Sequence, residues 1–319
     1  MRAVRFHKFG GPDELVLEDV PDRRPRFGEV RVDVHAAGVN PKDVFVRKGR
    51  FKAVLGQGFP KRLGHDFAGV VESVGRGVKR VRVGDEVYGM IPGYRVGAYA
   101  ERVIASVDWL ALKPTHATMV QAAGVPLAAM TALQALADLH RVEPGERVLI
   151  NGASGGVGIF AVQLTRLLGA IPVAVCSAKN EAFVRELGAA DVLPYDRRPL
   201  SELGLRFDHY FDVFGNTGFA ASRAFLAPHG VYVTTIPRRD TMMLELGGRM
   251  VPRALRKGPT GRLVMVHPRP RELSRLACWI DRGELDPVVD RVYPLADVRD
   301  AHRYVETKRA RGKVVLEVV

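Results

Sequence analysis

The sequence predicts an α/β protein in which a doubly wound parallel sheet is inserted into a β-rich domain, and three observations carry that expectation. The stretch from Val148 to Gly158, VLINGASGGVG, runs from an apolar strand through a glycine turn into a helical pattern. Strand and helix signals then alternate through VYVTTI, as they do where helices cover both faces of a parallel sheet. Before Thr115 the pattern is instead one of short alternating strands broken by Gly and Pro.

In chain order, EVRVDVHAAGV, FAGVVESVG, DEVYGM and AYAERVIA read as strands of the first region, with Val30, Val32 and Val34 on one face and Arg31, Asp33 and His35 on the other. Near Thr118 the period becomes helical, with Leu127, Met130, Leu133 and Leu136 at helix spacing, and this shift marks a domain boundary. VLING with its helix and PVAVCS with EAFVRELG follow, then DVLPY, HYFDVFG and VYVTTI. Residues 241–263, Met-rich and basic, give no firm assignment. RLVMVH, the helical LSRLACWIDRG and DVRDAHRYVE, and the strand KVVLEVV close the chain and are expected to rejoin the first region. The expected domains are therefore 1–117 (β-rich), 118–261 (dinucleotide-binding) and 262–319 (return to the β-rich domain).

Composition narrows the function. A chain of 319 residues with 47% hydrophobic content can bury a large core, and no apolar run approaches the roughly twenty residues of a membrane helix. The N-terminus lacks the apolar core of a secretory signal, and Cys176 and Cys278 are the only cysteines, so a disulfide framework is excluded and a reducing cytoplasm is expected. The net charge of +13 concentrates between Arg238 and Arg275. No nucleic-acid motif accompanies it, so it reads as a solvated basic face, with attraction of a phosphorylated cofactor as the alternative.

The glycine turn carries the first chemistry. Gly152, Gly155, Gly156 and Gly158 let backbone amides approach a ligand, and the helix start behind them offers unpaired N–H groups and positive dipole charge to a pyrophosphate. Absence of GK[ST] after the glycines argues against a triphosphate-binding loop. Ala153, Ser154, Gly155, Gly156, Val157 and Gly158 are the pyrophosphate candidates. About twenty residues on, where an acid would grip the ribose 2′-hydroxyl of NADH, stand Ser177, Ala178, Lys179 and Asn180. A hydroxyl, an ammonium and an amide without a carboxylate favour NADPH. Asn216, just past HYFDVFG, completes the cofactor-side set.

Taken together, NPKDVFVRKG at 40–49, GHDFAGVVESVG at 64–75, AAGVP with TALQAL, NGASGGVG with AVQLTRLLGA, LGAADVLPY and the closing GKVVLEV resemble the zinc-independent medium-chain dehydrogenase/reductases, specifically the quinone oxidoreductase group related to zeta-crystallin. The resemblance covers nearly the whole chain. It implies a Rossmann domain inserted in a GroES-like catalytic domain, NADPH as cofactor, Tyr195 closing over the adenosine phosphate, and Asn40 and Thr131 near the nicotinamide, where amide and hydroxyl could bond its carboxamide or a substrate carbonyl. Asn40 stands where zinc-using relatives carry a cysteine ligand, and there is no cysteine-rich lobe, so no metal is expected. His65 and Asp66 are adjacent on a strand, face opposite ways and are expected to be structural. Phe51 replaces a tyrosine frequent in the group. Asp43 could cap a turn or helix.

The expected function is NADPH-dependent hydride transfer to quinones. Reduction of enone or alkenal double bonds is the near alternative, and a noncatalytic NADPH-binding protein the reading from another class. The expected partner is one small-molecule quinone or enone, with no nucleic acid, no membrane span, and a homodimer as the assembly to test.

Overall fold

A computed structural model describes residues 1–56, 58–93, 96–197, 199–200, 204–237, 241–242 and 258–318. Contacts divide the chain into two units, Met1–Met130 with His267–Val319, and Thr131–Val266. The first crossing comes later than the composition shift at Thr118, because the short helix that begins there packs against strands of the first unit.

The first unit opens with β1 (Arg2–Phe6), β2 (Val16–Asp19), β3 (Glu29–Val39), α1 (Pro41–Arg47), α2 (Lys52–Leu55), β4 (Lys61–Arg62), β5 (Asp66–Val74), β6 (Glu86–Met90), β7 (Arg102–Ser106) and β8 (Leu110–Leu112). Two short helices follow, α3 (Met119–Ala123) and α4 (Pro126–Leu133), where the period alone suggests one helix. The break has a local cause: Pro126 has no N–H to continue a ladder, and Gly124 ends the turn before it. The second unit begins within α4, at Thr131, and continues with a π-helical turn, Gln134–His140.

The second unit contains β9 (Arg147–Asn151), α5 (Gly156–Leu167), β10 (Ile171–Cys176), α6 (Glu181–Glu186), β11 (Asp191–Pro194), β12 (Phe207–Asp212), α7 (Phe219–Ser222), β13 (Leu226–Thr234) and β14 (Thr260–Leu263). These six strands form one parallel sheet in the order β11-β10-β9-β12-β13-β14. That is the Rossmann arrangement, with the strand order reversing between β9 and β12. Val148, Leu149 and Ile150 are fully buried at its centre, as a strand covered on both faces requires. Most of the stretch 241–263, unassigned from sequence, lies outside the described residues.

The chain then returns to the first unit with α8 (Pro270–Asp281), β15 (Val289–Pro294), α9 (Val298–Glu306) and β16 (Lys313–Glu317). β16 pairs antiparallel with β3, Val315 opposite Gly38, and joins a seven-stranded sheet in the order β15-β16-β3-β5-β6-β8, with β7 on β3. Both chain ends thus build the β-rich domain, but the RLVMVH segment expected to rejoin it does not: its first residues form the end of β14 on the parallel sheet, beside β13, and the return begins at His267. Alternation on β3 matches the prediction: Val30, Val32 and Val34 are buried, whereas Arg31, Asp33 and His35 are only partly covered.

Arg47, at the end of α1, fastens those ends side chain to side chain. It is wholly buried, donates to the Gly10 carbonyl at 2.6 Å, pairs with Glu306 of α9, and points Nε at His302 Nδ1 at 3.4 Å. Removing one partner of a buried ion pair strands the desolvated groups around it, so Arg47→Met should cost about 3 kcal/mol. Glu306→Gln, which keeps an acceptor at a partly exposed position, should cost about 1 kcal/mol. Urea unfolding midpoints of the two variants test this, and equal losses would show that Arg47 is not the anchor.

Candidate functional site

In the second unit the site is built at the carboxyl end of β9, next to the switch point. The chain leaves Asn151 and turns on Gly152, whose φ of +86° belongs to the left-handed region that glycine enters without strain. A side chain at Gly158 would come within 2.1 Å of the Gly152 carbonyl, so only glycine lets α5 start this close to the turn. The amides of Gly152 and Ala153 both donate to Val175 O at 3.1 Å, and that of Gly155 donates to Gly152 O at 3.1 Å. Ala153 and Gly155 therefore shape the turn with their amides. Gly156, Val157 and Gly158 form the first turn of α5, where the helix supplies no carbonyl to their N–H groups, and they remain the amides suited to an anion.

Asn180 ties this turn to the next one, donating from Nδ2 to Ser154 Oγ at 3.0 Å. Among the described residues its buried Oδ1 has no hydrogen-bond partner. An unpaired buried acceptor costs roughly 1–3 kcal/mol, so its place between the glycine turn and the Ser177–Asn180 turn fits a ligand that brings a hydroxyl donor, as a ribose does. A dinucleotide fits this cradle on three counts: open amides, close backbone approach and a waiting acceptor.

The switch point itself is held by Asp212, which pattern reading passed over although it ends an aromatic strand. Its fully buried carboxylate accepts from Asn151 Nδ2 at 2.8 Å, the Gly215 amide at 2.8 Å, the Thr217 amide at 3.1 Å and Tyr232 OH at 3.0 Å. Asn151 also donates to Asn216 Oδ1 at 2.8 Å, so the predicted Asn216 lies at the same strand ends as the glycine turn.

At the end of β10 the structure corrects one expectation. Positions 177–180 carry no acid, yet Asp196 arrives from the end of β11 and accepts from the Ala178 amide at 2.9 and 3.2 Å. A carboxylate does stand beside Ser177 and Lys179. Sequence distance hid it, because β10 and β11 pair in parallel and bring Tyr195 N to Cys176 O at 3.1 Å. Tyr195 is exposed at this rim.

In the first unit, Asn40 caps α1 while its side chain enters a buried polar network. Asn40 Nδ2 donates to Asp66 Oδ2 at 2.9 Å and reaches Gly38 O at 3.4 Å, and Lys313 Nζ donates to Asn40 Oδ1 at 2.5 Å. Asp66 also accepts the Leu127 amide at 2.9 Å, satisfying one orphan N–H at the start of α4, the helix that carries the buried Thr131 one turn later. Lys313, on β16 and 3% exposed, lies 3.8 Å from Asp66. Asp43 accepts from the Asn40 amide at 2.9 Å, Tyr99 OH at 2.9 Å and His65 Nδ1 at 2.7 Å. It therefore caps α1, and His65 and Asp66 serve separate carboxylate clusters. Among the described residues no group of three or more His, Cys, Asp or Glu is arranged to hold a metal ion.

Burial pushes the Asp66 carboxyl up to about 6 despite Lys313 and Asn40, and burial lowers Lys313 despite Asp66. Asp43 is also pushed up by burial, but His65 and the other donors outweigh that and hold it below the ordinary carboxylate range. Lys313 was invisible as a site residue in the sequence, where it reads as the flank of a terminal strand.

The remaining features are simpler. Among the described residues no helix is long and apolar enough to cross a membrane. Of the basic stretch that is described, Arg269 pairs with Glu272 at 2.7 Å and Arg275 lies 4.3 Å above the Trp279 ring.

Fold and site define the class: an oxidoreductase carrying a Rossmann nucleotide-binding domain. Residues 26–115 match the alcohol dehydrogenase GroES-like domain model, and residues 187–316 match the model described as zinc-binding dehydrogenase. The chain is 35% identical to the human protein named NAD(P)H oxidoreductase RTN4IP1, mitochondrial, over 91% of this chain and 82% of that one. It is 32% identical to the Arabidopsis thaliana NADPH-dependent alkenal/one oxidoreductase, chloroplastic, over 99% and 79%. The solved quinone oxidoreductase of Coxiella burnetii superposes with a TM-score of 0.89 at 32% identity, covering 100% of this chain and 99% of that one. The chain belongs to the quinone oxidoreductase family of the medium-chain dehydrogenase/reductases.

The raised Asp66 carboxyl has a measurable consequence. Between its ordinary value of 3.8 and about 6 the folded chain keeps a proton that the unfolded chain releases. Its contribution to stability is thus full below about pH 4 and lost as pH rises through about 6. Asp43, depressed, acts in the opposite sense and is lost only as pH falls below the ordinary range. Asp66→Asn should flatten the fall in stability from pH 4 to 6 and leave the acid limb unchanged. Urea unfolding at stepped pH measures this, and an unaltered slope would show that Asp66 is ionised throughout.

Proposed function

We propose that this chain is an NADPH-dependent reductase that passes hydride to quinones, with conjugated enones or alkenals as second substrates. The observation that carries the reading is the open first turn of α5 beside the unpaired Asn180 Oδ1, a cradle for pyrophosphate and ribose at the Rossmann switch point. Family membership, and relatives named for quinones and for alkenals, support the acceptor class. Two free thiols suit a reducing compartment such as the cytoplasm, although the relatives cited are named for mitochondria and chloroplasts. A homodimer belongs to the same proposal, and sedimentation of the purified chain tests it.

When bound, the reduced nicotinamide supplies the hydride. The chain's own residues bind, orient and screen. The α5 amides and the dipole behind them hold the pyrophosphate, and Ser177, Lys179 and Tyr195 line the adenosine side. Asn40 has its donor side taken up by Asp66 and Gly38 O, whereas Oδ1 keeps one lone pair beyond the Lys313 contact. Asn40 is therefore better suited to accept from a carboxamide than to donate to an oxyanion, and the Thr131 hydroxyl is the donor we assign to the acceptor. A conjugated acceptor spreads the incoming charge and needs only ordinary hydrogen-bond donors.

The assay follows absorbance of the reduced nicotinamide with benzoquinone, naphthoquinone, an alkenal and, using oxidised cofactor, ethanol. Turnover is expected with the quinones, weaker turnover with the alkenal and none with ethanol, unchanged by a strong chelator. Asn40→Ala should lower kcat/KM about tenfold or more, with a smaller loss of NADPH affinity from the missing carboxamide contact. Turnover of ethanol alone would overturn the reading, and silence with every acceptor would favour a noncatalytic NADPH-binding protein.

Cofactor choice is a separate test. NADPH should bind about tenfold more tightly than NADH, the low end of what charge-assisted hydrogen bonds to a 2′-phosphate provide. Lys179→Ala should remove most of that gap. Equal affinities of the parent chain in titration calorimetry would refute the NADPH preference.

A further inference from the structure

We propose that Asp196 sets the nucleotide specificity of the adenosine subsite, its carboxylate accepting a ribose 2′-hydroxyl and opposing a 2′-phosphate, so that the chain also accepts NADH. The inference rests on the cofactor reading above. Its basis is a position rather than a motif. In Rossmann domains that prefer NADH, the acid that grips the ribose stands at the end of the second strand of the sheet. Here β10 is that strand, its following turn is Ser177–Asn180, and the carboxylate in that turn is supplied by the third strand, β11.

The Ala178 amide lies 2.9 Å from Asp196 Oδ1 and 3.2 Å from Oδ2, which fixes both oxygens against the turn. A carboxylate offers about four acceptor sites, so one shared N–H leaves capacity for a hydroxyl. Arg185 and Arg197 pair with Glu181, at 3.1 and 3.5 Å, and Lys179 is a cation of the turn itself. Lys179 and Asp196 are thus two charges of opposite sign at one turn. A 2′-phosphate gains from the first and is repelled by the second, whereas a 2′-hydroxyl can use the second and ignores the first. The Cys176 thiol at the end of β10 is pushed up to about 11, by burial first and then by the nearby Glu181 and Asp196 carboxylates.

Asp196→Asn is the test, because the amide oxygen can still accept from Ala178 while the charge is gone. Calorimetric titration of the full chain with NADPH and with NADH should show NADPH binding about tenfold more tightly in the variant, and NADH several-fold more weakly. Asp196→Ala, which also releases the Ala178 amide, should weaken NADH at least as much. A ratio of the two affinities that neither variant shifts, while the parent chain still binds NADPH, would overturn the role of Asp196 and leave the cofactor reading standing. If the parent chain binds neither nucleotide, both fall.

Discussion

A buried carboxylate must be met by donors or it expels itself from the core, and among the described residues three are buried completely: Asp43, Asp66 and Asp212. Each turns that demand into architecture. Asp43 gathers the Asn40 amide, Tyr99 and His65, closing the start of α1 against the loop that precedes β5. Asp66 draws together Asn40 from the end of β3, Leu127 at the start of α4 and Lys313 from β16. Segments from the beginning, middle and end of the chain are thereby held to one point. Asp212 does the same in the second unit, collecting Asn151, Tyr232 and the Gly215–Thr217 turn at the place where the sheet order reverses.

The two units solve the problem of precision differently. The nucleotide cradle is mostly backbone: a left-handed glycine at 152, a contact at Gly158 too close for any side chain, and amides presented by the start of α5. The network around Asn40 is made of side chains whose charges depend on one another. Lys313 and Asp66 are each disfavoured by burial and each eased by the other, so neither can be lost without penalising its partner. Asn40, lying between them, is held in one amide orientation, because only Oδ1 toward the ammonium and Nδ2 toward the carboxylate satisfies both.

What the sequence made legible follows from range. Strands β3, β5, β6 and β9, helices α5, α6, α8 and α9, and the glycine turn all announce themselves within windows of ten to twenty residues, because period and turn chemistry are local. The inserted topology was legible through the joint pattern of motifs. The partners were not. Asp196 sits far along the chain from Ala178 and becomes its neighbour only through the parallel pairing of β10 with β11, so a rule that inspects positions 177–180 cannot register it. Lys313 precedes a run of valines and looks like a solvated flank, until the pairing of β16 with β3 carries it beside Asn40. The helical period that begins near Thr118 is interrupted at Gly124 and Pro126, a local signal outweighed by the apolar periodicity around it.

That contrast bears on how the family diverges. A cradle made of backbone constrains only a few glycines, so the rest of α5 and its neighbours can drift while the nucleotide site persists, and superposition at a TM-score of 0.89 with 32% identity is the expected result. Side-chain charges at the rim, such as Lys179 and Asp196, are exposed, carry little of the fold and can change one at a time. Buried charges cannot, since a change at Lys313 or Asp66 requires a compensating change in the other. Charges at this rim can therefore be exchanged at little cost in stability, while the orientation of Asn40 is held where substitution costs much.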